Sequence, residues 1–152
     1  MKRLLLGLSA LALAAPAFAD VRLSSTVQEE IVIQKPNGGR EVKLIPADSV
    51  APGDTVIVRV AYANESDKPA SDIVISNPVP EHLSLVDIRE GGEPAYSVDG
   101  GETWGALSAL KIVSGGETRP AKAADVTNVR WRLTQPLAPG ASGAVAFSAR
   151  LD

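Results

Sequence analysis

Val50 to Leu85 reads V-A-P-G-D-T-V-I-V-R-V-A-Y-A-N-E-S-D-K-P-A-S-D-I-V-I-S-N-P-V-P-E-H-L-S-L. Its order is turn, strand, polar turn, strand and a proline-locked exit. Pro52-Gly53-Asp54 is a turn sequence, and from Asp54 to Asn64 two-residue alternation places Val56, Val58, Val60 and Tyr62 on one face and Ile57, Arg59, Ala61 and Ala63 on the other. The first set is the better core face. Glu65 to Pro69 then interrupts the pattern, Asp72 to Ser76 resumes it, and Pro78 with Pro80 removes two backbone donors where that strand must end.

The same grammar runs through the rest of the chain. Val129, Trp131 and Leu133 alternate with Arg130, Arg132 and Thr134, and Val145, Phe147, Ala149 and Leu151 alternate with Ala146, Ser148 and Arg150. Further strands are predicted at Val27 to Gln34, Glu41 to Ile45, Leu83 to Arg89, Ala95 to Val98 and Leu107 to Val113. Pro36-Asn37-Gly38-Gly39 predicts an N-terminal hairpin, because Asn-Gly accommodates the positive φ angles of a tight hairpin turn. Pro139-Gly140 introduces the last strand, and no stretch of helical length after residue 19 carries a 3.6-residue apolar period. About eight short strands at this spacing predict an all-β fold, an antiparallel sandwich of two sheets, with a closed barrel as the alternative. Leu110 to Thr127 has no evident place in that scheme and reads as a long excursion.

Several of these segments together resemble the DUF11 family, an immunoglobulin-like repeat domain of bacterial and archaeal surface proteins. The matching residues are P-G-D-T at Pro52 to Thr55, the Val and Tyr alternation through Tyr62, and Asn64 at the strand exit. Pro69-Ala70, Ile73-Val74-Ile75, the N-P-V-P-E-H-L run from Asn77 to Leu83 and A-P-G-A-S-G-A-V-A-F-S-A-R-L from Ala138 to Leu151 complete them. Many such repeats carry Asp where this chain has Asn77, an exchange expected to keep a turn-capping acceptor. The resemblance implies an immunoglobulin-like sandwich in a single-copy exported form. It also implies a cell-envelope or extracellular interaction module whose partner is an envelope or surface protein, and it brings no catalytic residues.

The first residues supply an address. Lys2 and Arg3 precede an apolar run from Leu4 to Ala15, followed by Pro16 and the small-residue signature Ala17-Phe18-Ala19. A charged start, a short apolar middle and small residues before a cut are the marks of a secretory signal, whereas a spanning helix needs about 20 apolar residues. Residues 1–19 are therefore predicted to be a signal peptide cleaved between Ala19 and Asp20. That leaves one domain at 20–152, periplasmic or extracellular, with no membrane span. Losing Lys2 and Arg3 moves the formal balance from −3 to −5. That acidity argues against nucleic acid, which needs clustered Lys and Arg; the close pair Arg130 and Arg132 reads as a solvated strand face. The chain has no Cys, so no disulfide can staple it in an oxidising compartment.

One local motif stands apart. Ser97-Val98-Asp99-Gly100-Gly101-Glu102-Thr103-Trp104 matches the S-x-D-x-G-x-x-W pattern of the Asp box of sialidase-like propellers. There the motif is a hairpin turn, with Asp and Ser bonding loop backbone and Trp packing beneath. A propeller needs several copies, and this chain has one. The bland reading is a structural turn. The sharper readings are a glycan site, with Trp104 or Tyr96 as stacking platform and Asp99, Glu102 and Thr103 as polar partners, or calcium near Asp99 and Glu102, which would require six to eight oxygens.

Catalysis is disfavoured by inventory, and no cofactor is implied. His82 is the only histidine, there is no thiol, and no G-x-S-x-G elbow occurs. Glu29 and Glu30 are adjacent on a strand and point to opposite faces, so they cannot jointly bracket a glycosidic bond. The Gly-Gly pairs at 91–92, 100–101 and 115–116 are loop signals, none opening a helix that could cradle phosphate.

Overall fold

The computed structural model describes residues 20–48 and 50–152. The expected signal peptide, including Ala19, lies outside them. Among the described residues ten strands run in chain order: β1 Val21–Gln34, β2 Arg40–Pro46, β3 Thr55–Asn64, β4 Val74–Pro78, β5 Leu83–Glu90, β6 Ala95–Ser97, β7 Lys111–Ser114, β8 Glu117–Pro120, β9 Asn128–Arg132 and β10 Ser142–Leu151. The described helical segments are two single 3-10 turns, Leu107–Ala109 and Ala123–Asp125. Every strand pairing is antiparallel. One sheet has the order β2-β1-β3-β10-β5, a second β4-β9-β6, and β7 with β8 forms a separate hairpin.

The two larger sheets share one core. Val56, Val58 and Val60 of β3, Leu85 of β5 and Val145, Phe147 and Ala149 of β10 meet Ile75 of β4, Val129 and Trp131 of β9 and Val126 before it. These are the faces expected from the alternation. Trp131 and Phe147, opposed across the two sheets, lie with ring centroids 6.5 Å apart and planes 20° from parallel. Both are essentially inaccessible to solvent. Aromatic rings bury more area than any aliphatic, so in a chain with few of them this stack carries a large share of the core. The sheets remain open, with β2 and β5 at the edges of one and β4 and β6 at the edges of the other, which decides against the closed barrel.

Ile57 is also buried, at 6% exposure, although it faces away from that core. Its neighbours on the outer face, Ala144, Ala146 and Ser148 of β10, are buried too. Two ion pairs lie across them, Arg59 with Glu90 at 3.1 Å and Arg89 with Glu30. Exposed pairs of this kind add little Coulombic stability, but their aliphatic stems cover the small residues below.

Five local expectations need correction. β1 begins at Val21 rather than Val27, because residues 21–29 pair with β3 before residues 28–34 pair with β2. In the hairpin between β1 and β2 Gly38 takes positive φ and Asn37 does not; Asn37 instead accepts the Gly39 N–H through its side chain at 3.1 Å. Leu107 to Val113 is not one strand, since Leu107–Ala109 is a 3-10 turn and β7 starts at Lys111. The unplaced segment that follows is structured, with Gly115 and Gly116 both at positive φ making the two-residue turn from β7 to β8. Arg119 then grips Asp125 with both guanidinium arms at 2.6 Å. Asn77, finally, lies inside β4 and acts as a donor, its amide reaching the Pro78 carbonyl at 2.9 Å. That is a bond an Asp would lack.

Asn64, at 1% exposure, closes the far end of the sandwich. Its side-chain amide donates to the carbonyls of Lys68 at 2.7 Å and Leu137 at 2.8 Å, and its side-chain oxygen accepts from the N–H and hydroxyl of Ser66. A buried amide so fully satisfied reinforces two loops that the backbone bridge between Ala70 and Leu137 already joins.

Two substitutions test this packing. Phe147→Ala should lower unfolding free energy by about 3–5 kcal/mol. Gly91→Ala should destabilise although it adds only a methyl, because Gly91 has positive φ and its Cβ would sit 2.5 Å from Val145 Cγ1. Chemical denaturation measures both.

Candidate functional site

The segment from Tyr96 to Gly105 is a hairpin closed by two backbone bonds between those residues, at 2.8 and 3.0 Å. Positive φ at Gly100 and Gly101 turns the chain, a conformation that a side chain would strain. Within the turn Asp99 is the organiser. Its Oδ1 accepts from the Ser97 hydroxyl at 2.7 Å, the Glu102 N–H at 3.1 Å and the Thr103 N–H at 2.9 Å, and its Oδ2 from the Thr103 hydroxyl at 2.5 Å. Ser97, fully buried, in turn accepts the Gly101 N–H at 2.8 Å. Trp104 donates its indole N–H to the Gly101 carbonyl at 2.8 Å.

These contacts have electrostatic consequences. The hydroxyl and N–H of Thr103, then Ser97, hold the Asp99 carboxyl far below the ordinary carboxylate range. The bonds from Arg119 and the Lys122 N–H bring Asp125 down to about 2. Burial raises Tyr96, with Glu93 and Asp87 adding to the effect.

The four residues singled out as ligand contacts do not converge. Asp99 and Trp104 belong to the turn, with Asp99 and Thr103 beside a shallow depression that Leu110 to Val113 also line. Tyr96 packs against the core and borders a different depression with Asp87 and Glu93. Glu102 is exposed, and among the described residues its carboxylate has no hydrogen bond or ion pair. Trp104 carries the Arg130 guanidinium 4.1 Å above its ring centre, so one stacking face is already covered. Both Asp99 oxygens are committed to donors, and a cation there would have to displace them. No group of three or more metal-ligating side chains occurs among the described residues. Asp20, the residue after the expected cleavage point, is exposed and accepts the Glu65 N–H at 3.0 Å. His82 is exposed too, with positive φ and its carbonyl bonded to the Asp152 N–H.

Two contributors escaped sequence reasoning. Thr127 bonds its N–H and hydroxyl to the Ser97 carbonyl and accepts the Gly100 N–H, fixing the turn to the segment before β9. Arg130 reads as a solvated strand residue until its ring partner is seen. A residue 26 positions after Trp104 leaves no periodic trace of that contact.

The other distinctive surface is the ribbon of β1 and β2, which the second sheet does not cover. Leu23 and Val27 lie opposite Tyr62 and Val58, on the core-side face, yet are about half exposed. On the outer face Val32 and Val42 lie opposite one another at 56% and 58% exposure, with Leu44 beside them at 41%. Aliphatic residues thus face solvent on both sides of the ribbon. Compared with known proteins, the chain matches no family model, no curated protein and no solved structure. Among the described residues no helix is long and apolar enough to cross a membrane.

The carboxylates carry a pH signature. Because Asp99 and Asp125 titrate lower folded than unfolded, their contribution is complete above the ordinary carboxylate pKa of about 4. It is lost as pH falls through the folded values. Melting temperature should therefore drop as pH is lowered from about 4 to 2, and Asp99→Asn with Asp125→Asn should give a protein less stable at neutral pH and less sensitive to acid. Calorimetry across that range checks both statements.

Proposed function

We propose that this chain is a non-catalytic exported module of the cell envelope, with an immunoglobulin-like sandwich that presents a protein-interaction surface. The observation that carries the reading is the uncovered ribbon of β1 and β2, whose outer face turns the neighbouring Val32, Val42 and Leu44 to solvent, with Leu23 and Val27 exposed on the other face. A monomer that left such a strip without a partner would pay for it in solubility, and contiguous exposed aliphatics mark contact surfaces. Support for the immunoglobulin-like assignment is the five- and three-stranded antiparallel pair of sheets and the resemblance noted at Pro52 to Leu83. A further support is a core Trp that stacks on Phe147 between the two sheets, which tie together without a disulfide. Export rests on the N-terminal pattern ending at Ala19.

The carbohydrate reading draws on the turn from Ser97 to Trp104. It has weaker support, since Arg130 occupies one face of Trp104 and the hydrogen bonds of Asp99 are internal. Of the exposed side chains in the turn, Asp99 and Thr103 are bonded to each other, and Glu102 has no hydrogen bond or ion pair among the described residues.

Fractionation of cells expressing the full chain tests the main reading. The mature protein should begin at Asp20 by N-terminal sequencing and be retained with the envelope, and a Val32→Ser, Val42→Ser double variant should fold normally but be released. Material that keeps Met1, or a variant retained as well as wild type, would count against it.

A further inference from the structure

The free edge of β2 carries a pattern that selects its own copy as partner. β2 pairs with β1 so that residue numbers in each pair add to the same value, from Gln28 with Pro46 to Gln34 with Arg40. At the turn Lys35 donates its N–H to the Gly39 carbonyl, and at the other end Ala47 donates to Val27. Hydrogen-bonded pairs alternate along an antiparallel ladder, so the odd-numbered residues of β2 bond inward to β1. Arg40, Val42 and Leu44 therefore point their N–H and C=O groups out of the sheet, and among the described residues no strand pairs with them. The opposite edge differs, because β5 has two register breaks and the turn Ala123–Asp125 packs against it.

We propose that two copies of this chain pair antiparallel through β2 about a two-fold axis at Val42, joining their five-stranded sheets into one. This rests on the reading of the ribbon as an interaction surface and names its occupant. Three features fix the register. Centring on Val42 sets Glu41 against Lys43 of the second copy, and Lys43 against its Glu41, in non-hydrogen-bonded pairs, where facing side chains come closest. Lys43 has no ion-pair partner among the described residues, while Glu41 has only the exposed Lys35 at 3.0 Å. Centring one residue later on Lys43 would oppose Lys43 to itself, and centring on Leu44 would bring Pro46, which lacks a donor, into a hydrogen-bonded position.

The apolar side follows the same axis. Val32 lies opposite Val42 within one copy. In the pair, Val42 meets Val42, so a row of four valines crosses the junction on the outer face, with Leu44 beside the aliphatic stem of Arg40 from the other copy. An edge Lys ordinarily discourages edge-to-edge association. Here it rejects the registers that would let strands slip and favours one closed, isologous pair.

Charge exchange tests the register. Sedimentation of the full mature chain should give a dimer, with Glu41→Lys or Lys43→Glu weakening it by about tenfold or more and the double exchange restoring it. Val42→Pro should yield a folded monomer, because the donor it removes points away from β1 and edge strands tolerate proline. A wild-type chain that stays monomeric at high micromolar concentration overturns the proposal, as does a dimer indifferent to the single exchanges or to Val42→Pro. A monomer whose Val32→Ser, Val42→Ser variant still leaves the envelope sinks the pairing and spares the interaction module; a monomer whose variant is retained sinks both.

Discussion

The contact of Trp131 with Phe147 is the one on which the two-layer arrangement turns. With no disulfide to draw the layers together, the sheets are joined by buried area alone. The two large rings at the centre supply what the surrounding valines cannot. Around them Val56, Val58, Val145 and Ile75 fill the remaining space, and Gly91 must lack a side chain so that Val145 and Trp131 can lie where they do. Burial has a cost here as well, since the Trp131 indole N–H has no hydrogen-bond partner among the described residues. The ring is held there by packing, against the penalty of an unmet donor.

That dependence explains why the molecule divides into a dense half and an open half. The three-stranded sheet covers β3, β10 and β5 but stops short of β1 and β2. The same alternation that buries Val58 thus leaves its cross-strand neighbour Val27 in water. Local sequence is identical in kind on the two sides of that boundary, and only the width of the opposing layer separates core from surface. The turn around Asp99 and the clamp at Asn64 use polar groups for a related purpose, fastening loops whose apolar content is too small to hold them.

Much of the sandwich was legible because its signal is local. Alternation marked β3, β9 and β10, and prolines and glycines marked the turns between them. The Ser97 to Trp104 motif announced its hydrogen bonds in advance, because donors and acceptor lie within four residues of Asp99. What stayed hidden depends on distant pairing. The first part of β1, V-R-L-S-S-T, alternates too weakly to read as a strand, and it becomes one through its ladder to β3. Arg119 to Asp125 and Arg130 to Trp104 are contacts between side chains whose spacing follows no period. Tyr96 ends away from Asp99 because it lies in β6 and packs against the core, whereas Asp99 belongs to the turn beyond that strand.

The place of β10 has a kinetic meaning. It is the last strand in the chain, yet it fills the slot between β3 and β5 and contributes Val145, Phe147 and Ala149 to the centre of the molecule. Until residues 142–151 emerge from the ribosome, β5 has no neighbour in its sheet and Trp131 has no ring to lie on. The domain therefore cannot seal its core until residues 142–151 have been made, whatever has formed before them.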